Sequence, residues 1–583
     1  MLFNSYAFVF AFLPLFVAGF YAVTYLINEK NILSNISRTK PACAQNAVEL
    51  YCVILSFIFF AFFGIKVLGV LVISILWNYS FLRFIKTKLL RTHISGKKES
   101  EHSKTDQAFT NKNTKIDPAF IDKNTKKDSA SDADKDQDTY RKNGAKKLLI
   151  AGICGNIALL LFFKYAGFFA DIVNAVSGSS ITVSILLPIA ISFYTFSQIS
   201  LLVDVYRGEI EDLSLIDYLS YIVFFPKILQ GPIVRYNDMK SQFEKGLNHR
   251  WNTEEFMQAV MLFVLGLSKK VIIADTLSVA VDYGYSNLGT ITQMDAILTA
   301  VCYSFQIYFD FSGYCDMGRG ICRMVGMDLP VNFESPYKAR NIDDFWKRWH
   351  MTLTAFFTKY VYIPLGGNRK GAVRTYINFM IIFVLSGFWH GAGLTFIVWG
   401  AMHGLLYVIT RALKKRSSVN GGIPGDKKTL GNTASKQEET SRKKGSSGAL
   451  LPYPIALILT FIFVTIAWVF FRAGSVSDAC TLISAMTRFG SFKISPDFIE
   501  CFQIDELWYI FKITPVADMT WGPAVCMWII ILVSAYFAFI CPNAAKLTDK
   551  HKVNCKGAII LAILLTWSII KFANVSTYIY LGF

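Results

Sequence analysis

The chain has 583 residues, of which 53% are hydrophobic and only 17% are charged. A soluble protein of this length would carry more charge and divide into several domains, so this composition excludes a string of soluble globular domains. The net charge of +18 would indicate nucleic-acid binding in a soluble protein, but in a membrane protein lysine and arginine collect in cytoplasmic loops. We therefore expect a multi-pass protein of the lipid bilayer that binds no nucleic acid.

Long apolar segments recur along the chain. The first, residues 6–27, carries no charge, is long enough at about 30 Å to cross a bilayer, and lacks the basic start of a signal peptide. The further segments, in chain order, are residues 49–64, 66–87, 147–168, 183–205, 214–229, 255–275, 293–313, 375–389, 392–413, 452–471, 521–541 and 557–575. Some are short, and we expect those to be re-entrant or buried. The pattern predicts an all-α integral membrane protein with about 10–13 membrane segments.

Two polar inserts interrupt this pattern. Residues 96–146 and 415–449 are rich in lysine, serine and threonine and contain few side chains that a core could bury. This composition predicts disorder, and the basic residues at the edges of both inserts predict a cytoplasmic location. We expect the remainder of residues 1–583 to form a single membrane domain.

The sequence lacks the usual signatures of soluble hydrolases and of metal sites. Its eleven cysteines are scattered and form no CxxC pair, so neither a disulfide framework nor a bound metal is predicted. No glycine-rich nucleotide loop, nucleophile-elbow serine or HExxH motif occurs. Serine and metal hydrolases are therefore unsupported.

Polar side chains continue through the predicted segment that begins at residue 293. Gln306 and Asp310 lie one helical turn apart, and Gly313 continues their face. We expect this face to look into the bundle or a hydrated cavity and to stay open at Gly313. Asp316 and Arg319 lie close enough to pair. Either these polar groups hold helices together, or they line a reaction path.

The next unusual block begins at a predicted helix start. Asn341 is a suitable cap, and Asp344 follows three residues later, as in a capping box. Asp343 with Lys347, and Asp344 with Arg348, are acid-before-base pairs four residues apart. The spacing predicts both ion pairs.

The same block ends in aromatic residues and a histidine. Trp346 and Trp349 are typical of a membrane interface, and His350 lies one helical turn after Trp346. The block is consistent with an interfacial helix whose histidine only bonds a backbone carbonyl, or with a functional imidazole.

His390 lies at the turn of a predicted helical hairpin. Its first helix, residues 375–389, would rise only about 22 Å, short of the roughly 30 Å needed to cross, so His390 is predicted to stop within the hydrocarbon thickness. Gly387 and Gly391 leave space around it. A buried imidazole stays neutral at pH 7, as a general base requires. The alternative is a structural core histidine, which is the role that we expect for His403.

In these residues the chain resembles the membrane-bound O-acyltransferase (MBOAT) family, specifically its bacterial alginate O-acetylase branch. The motifs that carry the resemblance are Pro188-Ile-Ala-Ile-Ser-Phe-Tyr-Thr-Phe196, Phe225-Pro-Lys-Ile-Leu-Gln-Gly-Pro-Ile-Val-Arg-Tyr236, Tyr308-Phe-Asp-Phe-Ser-Gly-Tyr314, Asn332-Phe-Glu-Ser-Pro-Tyr337, Trp346-Lys-Arg-Trp-His350, Tyr362-Ile-Pro-Leu-Gly-Gly-Asn-Arg369, Trp389-His-Gly391 and Trp468-Val-Phe-Phe-Arg472. The chain departs from that branch at Lys359, where members often have an acidic residue.

The resemblance implies a helical bundle around a transmembrane tunnel in which an acyl donor and an acceptor meet. It implies that His390 and His350 are catalytic, and that the donor is a thioester such as acetyl-CoA, used as a substrate rather than held as a cofactor. Positive side chains would suit the phosphates of CoA, although positive-inside topology also explains them. The residues expected to line the tunnel or bind the donor are Gln306, Asp310, Gly313, Trp346, Trp389, Lys227, Arg235 and Arg348.

We therefore predict an O-acyltransferase of the bacterial cytoplasmic membrane that moves an acetyl group across it to a polysaccharide outside the cytoplasm or in the cell wall. The resemblance also implies an extracytoplasmic SGNH-type acetyltransferase as a partner. Two alternatives remain. One is transfer of D-alanine from a carrier protein to teichoic acid, and the other is a transporter whose intramembrane Asp and His residues relay protons.

Overall fold

The computed structural model describes residues 1–29, 40–109, 129–183, 185–420, 451–488, 492–503, 521–574 and 577–579. Regular structure within these ranges is helical, and no strand occurs in them. We number the α-helices in chain order: α1 Leu13–Glu29, α2 Lys40–Ala61, α3 Ile65–Phe109, α4 Ser129–Ser177, α5 Ile191–Tyr206, α6 Leu215–Val223, α7 Phe225–Ile228, α8 Tyr236–Leu247, α9 Thr253–Ser268, α10 Asp275–Ser286, α11 Gln293–Met324, α12 Ile342–Trp346, α13 Met351–Phe357, α14 Ala372–His390, α15 Leu394–Asn420, α16 Tyr453–Arg472, α17 Val476–Thr487, α18 Pro496–Glu500, α19 Gly522–Phe539, α20 Ala544–Lys550 and α21 Cys555–Ile570.

Short π-helical and 3-10 turns complete the regular structure. The π-helical turns extend α1 backwards, join α9 to α10 and follow α13, at Phe8–Phe12, Lys269–Ala274 and Thr358–Tyr362. The 3-10 turns are Pro336–Lys338 and Lys571–Asn574.

Among the described residues, nine helical segments are long and apolar enough to cross a membrane: Phe8–Ile27, Ile65–Leu89, Asn143–Ser177, Thr253–Ser286, Ala372–His390, Leu394–Arg416, Tyr453–Arg472, Gly522–Phe539 and Cys555–Ala573. Gln45–Ala61 is a shorter apolar helix. The prediction of an all-α membrane protein is confirmed. Helix α11, at 32 residues, is not one of these nine segments. It is long enough to cross a membrane, but it carries polar side chains such as Gln306 and Asp310.

The chain forms two compact units. The first contains residues 1–19, 230–233 and 248–583, and the second contains residues 20–229 and 234–247. The predicted segments at 183–205 and 214–229 belong to the second unit, where they become shorter helices, α5 and α6, with mostly buried side chains. Both histidines singled out by the sequence belong to the first unit.

Glycines set the closest helix contacts of the first unit. A Cβ atom on Gly266 of α9 would lie 2.7 Å from the carbonyl oxygen of Gly313 on α11, and one on Gly313 would lie 2.7 Å from the carbonyl oxygen of Gly266. Helices α14 and α15 meet in the same way, at Gly387 and Gly400. Small residues let helix backbones approach closely where lipid offers no hydrophobic driving force.

The two polar inserts lie largely outside the described residues. Helix α3 continues to Phe109 and α4 begins at Ser129, so the backbone is helical at both flanks of the first insert. Residues 110–128 and 421–450 are not among those described. Residues 96–109 and 129–146 of the first insert thus belong to described helices. For the residues outside the described ranges, the expected disorder stays a prediction.

Candidate active site

His390 is the last residue of α14, and it is 3% exposed. The helix begins at Ala372, next to Gly371, whose φ of 87° breaks the preceding backbone. Its 19 residues rise about 28 Å and make α14 one of the nine segments able to cross a membrane. The prediction that this helix is too short to cross was therefore wrong, and helix length does not set the depth of His390.

Aromatic side chains enclose the His390 ring. The centroids of Trp389, Trp399 and Phe471 lie 4.7, 5.2 and 5.2 Å from it, all in edge-to-face arrangements. Trp399 comes from α15 and Phe471 from α16, so three helices build this wall. His390 is thus buried among aromatic side chains of three helices.

His350 lies in the turn between α12 and α13. Its φ is 44°, in the left-handed region that a non-glycine residue rarely adopts. Because α12 ends at Trp346, His350 does not share a helix face with that tryptophan, and this expectation was wrong. Strained backbone of this kind persists where the surrounding structure enforces it, often at functional sites.

The His350 side chain is fully buried. Its Nδ1 lies 3.2 Å from Oδ1 of Asn332. Its Nε2 is buried and has no hydrogen-bond partner in the part of the chain that the structure describes. Burial lowers the pKa of His350 to about 3, so the ring is neutral at pH 7.

The two histidines share one aromatic neighbour. The Trp389 ring lies 6.4 Å from the His350 ring and 4.7 Å from the His390 ring, measured between centroids. Phe311 of α11 contacts the His350 ring at 4.8 Å, edge to face. Two histidines that are 40 positions apart in the chain are thus brought near one indole.

A third buried histidine borders this region. His403 of α15 is fully buried, and its Nδ1 accepts a hydrogen bond from Nε1 of Trp346 at 3.3 Å. The Trp399 ring contacts both His403, at 5.0 Å, and His390, at 5.2 Å. The bonded Nδ1 agrees with the structural role expected of His403. The sequence did not single out Trp399.

The two tryptophans of the Trp-His block are core residues. Trp346 is 6% exposed and Trp349 is 1% exposed, and Trp349 packs against Phe333 and Trp468 at 5.0 and 4.9 Å. Their expected place at a membrane interface stays a prediction. Aromatic residues are as typical of a packed core as of an interface, and composition cannot separate the two.

Asp310 belongs to a buried ion cluster. Lys270 lies between Asp310 and Asp275, with Nζ–oxygen distances of 2.8 and 2.7 Å, and all three side chains are at most 6% exposed. The backbone N–H of Ile579 also donates to Asp310, at 3.1 Å. Lys270 was not singled out from the sequence, although a lysine inside an apolar segment predicts a buried partner of opposite charge.

Gly313 does not leave an open face. It packs against Gly266, as described above, so the expectation of space at this position was wrong. Gln306 on the same helix is 8% exposed, and its Oε1 has no hydrogen-bond partner among the described residues. Lining of a tunnel by Gln306 and Asp310 stays a prediction.

Asp316 and Arg319 do not pair with each other, contrary to the expectation. Asp316 pairs with Lys269 at 2.6 Å, and Arg319 pairs with Asp328 at 2.6 Å. Each side chain finds a closer partner outside its own helix, which a helical spacing rule does not include.

The charged face of α12 forms as predicted. Lys347 pairs with Asp343 at 3.3 Å, and Arg348 pairs with Asp344 at 2.8 Å. Asn341 caps the helix by accepting from the backbone N–H of Asp344 at 3.1 Å. The Asp344 carboxylate in turn accepts from the backbone of residue 340 rather than from that of Asn341. Arg348, just after the end of α12, is thus paired with a carboxylate of that helix.

Asp343 also receives cations from α15. Lys414 lies 2.8 Å and Arg411 lies 3.4 Å from its carboxylate. Burial alone would raise the pKa of Asp343, but the hydrogen bond from Lys414 and the charges of Lys347, Lys414 and Arg411 outweigh it and lower the pKa. This cluster fixes the end of α15 to α12.

Lys227 and Arg235 belong to the second unit. Lys227 is 4% exposed, and its ammonium lies 4.1 Å from the centre of the Tyr221 ring. Arg235 is half-exposed and pairs with Asp238 at 2.8 Å. Their expected contact with CoA phosphates stays a prediction.

Within the described ranges, no group of three or more His, Cys, Asp or Glu side chains is placed to hold a metal ion. The described cysteines are all unbridged. The buried imidazoles beside these aromatic rings suit proton transfer at a reacting hydroxyl or thioester.

Comparison with known proteins identifies the family. The model of MBOAT, the membrane-bound O-acyltransferase family, matches residues 60–418. This chain belongs to the MBOAT family. The matched range includes both His350 and His390. The protein is accordingly a multi-pass membrane O-acyltransferase.

Curated relatives point to O-acetylation. The peptidoglycan O-acetyltransferase of Helicobacter pylori is 33% identical over 515 residues, which cover 83% of this chain and 80% of that protein. A probable alginate O-acetylase AlgI from Pseudomonas putida is 38% identical over 362 residues, covering 61% of this chain and 67% of that protein. The teichoic acid D-alanyltransferase of Streptococcus thermophilus is 28% identical over 255 residues, covering 41% and 60%.

Proposed function

We propose that this MBOAT protein takes an acetyl group from acetyl-CoA on the cytoplasmic side of a bacterial cytoplasmic membrane and delivers it for O-acetylation of a polysaccharide outside the cytoplasm or in the cell wall. The observation that carries the proposal is the pair of buried imidazoles, His350 and His390, which both lie near Trp389. The proposal includes a path for donor and acceptor that passes both rings.

The chemistry is transfer of an acyl group from sulfur to oxygen. A hydroxyl oxygen attacks the thioester carbonyl, the new C–O bond forms and the C–S bond breaks. The hydroxyl proton moves to an imidazole and from there to the CoA sulfur, so that an ester and a free thiol result. Burial of an imidazole favours the neutral form that this step needs.

His390 and His350 are the two proposed catalytic imidazoles: one takes the hydroxyl proton, and the other orients the donor or acceptor beside it. Each ring is at most 3% exposed. Holding an ionisable side chain out of water carries a desolvation cost, which a functional role explains.

The relatives favour acetyl over D-alanyl transfer. The alignment with the peptidoglycan O-acetyltransferase covers 83% of this chain, whereas that with the teichoic acid D-alanyltransferase covers 41%. Membership of an acyltransferase family also argues against the transporter alternative. An extracytoplasmic SGNH-type acetyltransferase that receives the acetyl group is part of the proposal.

The test is His390→Ala in cells that make the whole system, with alkali-released acetate from the isolated polysaccharide as the readout. We expect at least about a 10²-fold loss while the protein still accumulates in the membrane. His551→Ala, at an exposed histidine, is the matched control and should retain full activity. More than about a tenth of wild-type acetylation in His390→Ala would contradict the proposal, because base catalysis alone is worth more.

The donor is tested separately in inverted membrane vesicles that carry the wild-type protein. Labelled acetyl-CoA should transfer its acetyl group to polymer, and a D-alanyl carrier protein should not transfer D-alanine. The opposite result would replace the proposed donor and keep the acyltransferase.

A further inference from the structure

Asn332 has an unusual number of contacts for one side chain in a loop. It lies between α11 and α12 and is 2% exposed. Its Oδ1 atom faces three groups: Nδ1 of His350 at 3.2 Å, the backbone N of Thr352 at 3.2 Å and Oγ1 of Thr352 at 2.9 Å. Its backbone carbonyl accepts from the N–H of Met351 at 3.0 Å. Asn332 therefore holds both the side chain of His350 and the backbone that follows it.

The orientation of the Asn332 amide follows from one of these contacts. A backbone N–H can only donate, so the atom that faces the Thr352 nitrogen must be the amide oxygen. On the other side, Nδ2 of Asn332 faces the sulfur of Cys315 at 3.5 Å. The Thr352 backbone N–H, which cannot accept a hydrogen bond, thus identifies the oxygen of the Asn332 amide.

This orientation determines the tautomer of His350. An amide oxygen only accepts, so Nδ1 of His350 must carry the proton in their 3.2 Å contact. A neutral imidazole holds one N–H, and Nε2 therefore presents a lone pair. That atom is buried and has no hydrogen-bond partner among the described residues.

Aromatic rings of the described residues surround the His350 ring. The rings of Phe311, Phe333 and Trp389 lie 4.8, 6.4 and 6.4 Å from it. The thiol of Cys315 lies behind Asn332. A buried acceptor without a partner is costly, and such atoms are kept where a reaction uses them.

His403 has the opposite arrangement and serves as an internal reference. The indole N–H of Trp346 can only donate, so Nδ1 of His403 accepts in their 3.3 Å contact. The proton of neutral His403 is therefore on Nε2. Two buried histidines of one unit thus differ in the nitrogen that carries the proton.

We propose that Asn332 is the positioning residue that sets the tautomer and orientation of His350, so that Nε2 of His350 faces the reacting hydroxyl as its proton acceptor. The tautomer stands on the geometry alone, whereas the role as proton acceptor rests on the proposed function. In the transfer step, Nε2 takes the hydroxyl proton as the C–O bond forms and returns it to the thiolate that leaves. Asn332 itself exchanges no atoms.

The first test does not depend on any substrate. The full-length protein with ¹⁵N-labelled histidine is reconstituted in bilayers, and the seven histidines are distinguished by His350→Gln and His403→Gln difference spectra. We expect the protonated nitrogen to be Nδ1 in His350 and Nε2 in His403. Protonation of His350 at Nε2 would overturn the proposal, even if the proposed acetyl transfer is correct.

The second test uses activity, as CoA thiol released from acetyl-CoA. Asn332→Leu removes the acceptor and should lower kcat by on the order of 10²–10⁴-fold, the range of general-base assistance, with a smaller change in KM. Asn378→Leu is the matched control, because Asn378 is also fully buried and its Nδ2 bonds a carbonyl, at Gly367. An equal loss in both variants would indicate packing and would refute the proposal.

The pH–rate profile of Asn332→Asp gives a measurement that a purely structural role of Asn332 would not change. The carboxylate keeps the acceptor and stabilises the imidazolium, which raises the pKa of His350. The neutral His350 imidazole is then lost at a higher pH, so the acid limb of the pH–rate profile should shift to higher pH. An unchanged acid limb in an active Asn332→Asp protein would also refute the proposal. If wild-type protein releases no CoA, the proposed donor fails, and the spectra still decide the tautomer.

Discussion

Two buried polar regions of the first unit differ in charge. Around Lys270, one ammonium lies within 2.8 Å of two carboxylates, and Asp310 also accepts from the backbone of Ile579. Around His350, the side chains are neutral, and one ring nitrogen has no hydrogen-bond partner among the described residues. Helix α11 contributes to both regions, with Asp310 to the first and Phe311 to the second.

This difference separates structural from reactive buried polarity. Charges out of water are tolerated only when they are paired and hydrogen-bonded, and the groups of the Lys270 region are paired with one another. A neutral imidazole can be buried at lower cost and can keep a lone pair available. We therefore expect the Lys270 region to stabilise the fold, and we propose a role in the transfer step for the His350 region.

The largest loss of stability that would distinguish the two regions is expected from Lys270→Met. It leaves Asp310 and Asp275 close together without a cation, and breaking a buried ion pair costs about 3–5 kcal/mol of folding free energy. Thermal unfolding of the detergent-solubilised protein should show a large drop in Tm. The double variant Lys270→Met/Asp310→Asn should recover part of it. A wild-type Tm in Lys270→Met would mean that the cluster does not stabilise the fold.

The contact between α9 and α11, which supports both regions, gives the next test. In Gly313→Ala the new methyl would meet the Gly266 carbonyl at 2.7 Å, so the helices must separate, at a cost of about 1–3 kcal/mol. Gly289→Ala is the control, because nothing lies within 4 Å of a Cβ atom there. The two Tm values should differ clearly. Equal Tm values for the two variants would indicate that Gly313 lies on an open face, as the sequence suggested.

The smallest effect is expected at Asp343, a third ionic site that lies outside the membrane-spanning segments. Its folded pKa is lowered, so its stabilisation is present above the ordinary carboxyl value of about 4 and is lost as pH falls through the folded pKa. Asp343→Asn should lower stability at pH 7 by roughly 1 kcal/mol, since its cations are partly exposed. The difference from wild type should disappear as pH falls below the folded pKa of Asp343. A difference that persists there would indicate a contribution other than charge.

Local patterns in the sequence predicted what helix geometry alone imposes. The pairs Asp343–Lys347 and Asp344–Arg348 formed, because residues four apart lie on one helix face. The hairpin that carries His390 and the all-α membrane architecture were also predicted, because long apolar segments have few stable forms in a bilayer. His390 and His350 were singled out because an ionisable ring is costly in apolar surroundings.

Tertiary packing decided the partners of these residues. Asn332 reaches His350 across 18 positions, and Lys270 reaches Asp310 across 40, distances at which no periodicity links two side chains. The same holds for Gly313, which the sequence placed on an open face and the structure places against Gly266. The sequence by itself determined which polar groups lie in apolar surroundings, because that depends on composition. Only the fold determined which of them are neutralised and which keep an available atom, because desolvation and pairing depend on neighbours that are distant in the chain.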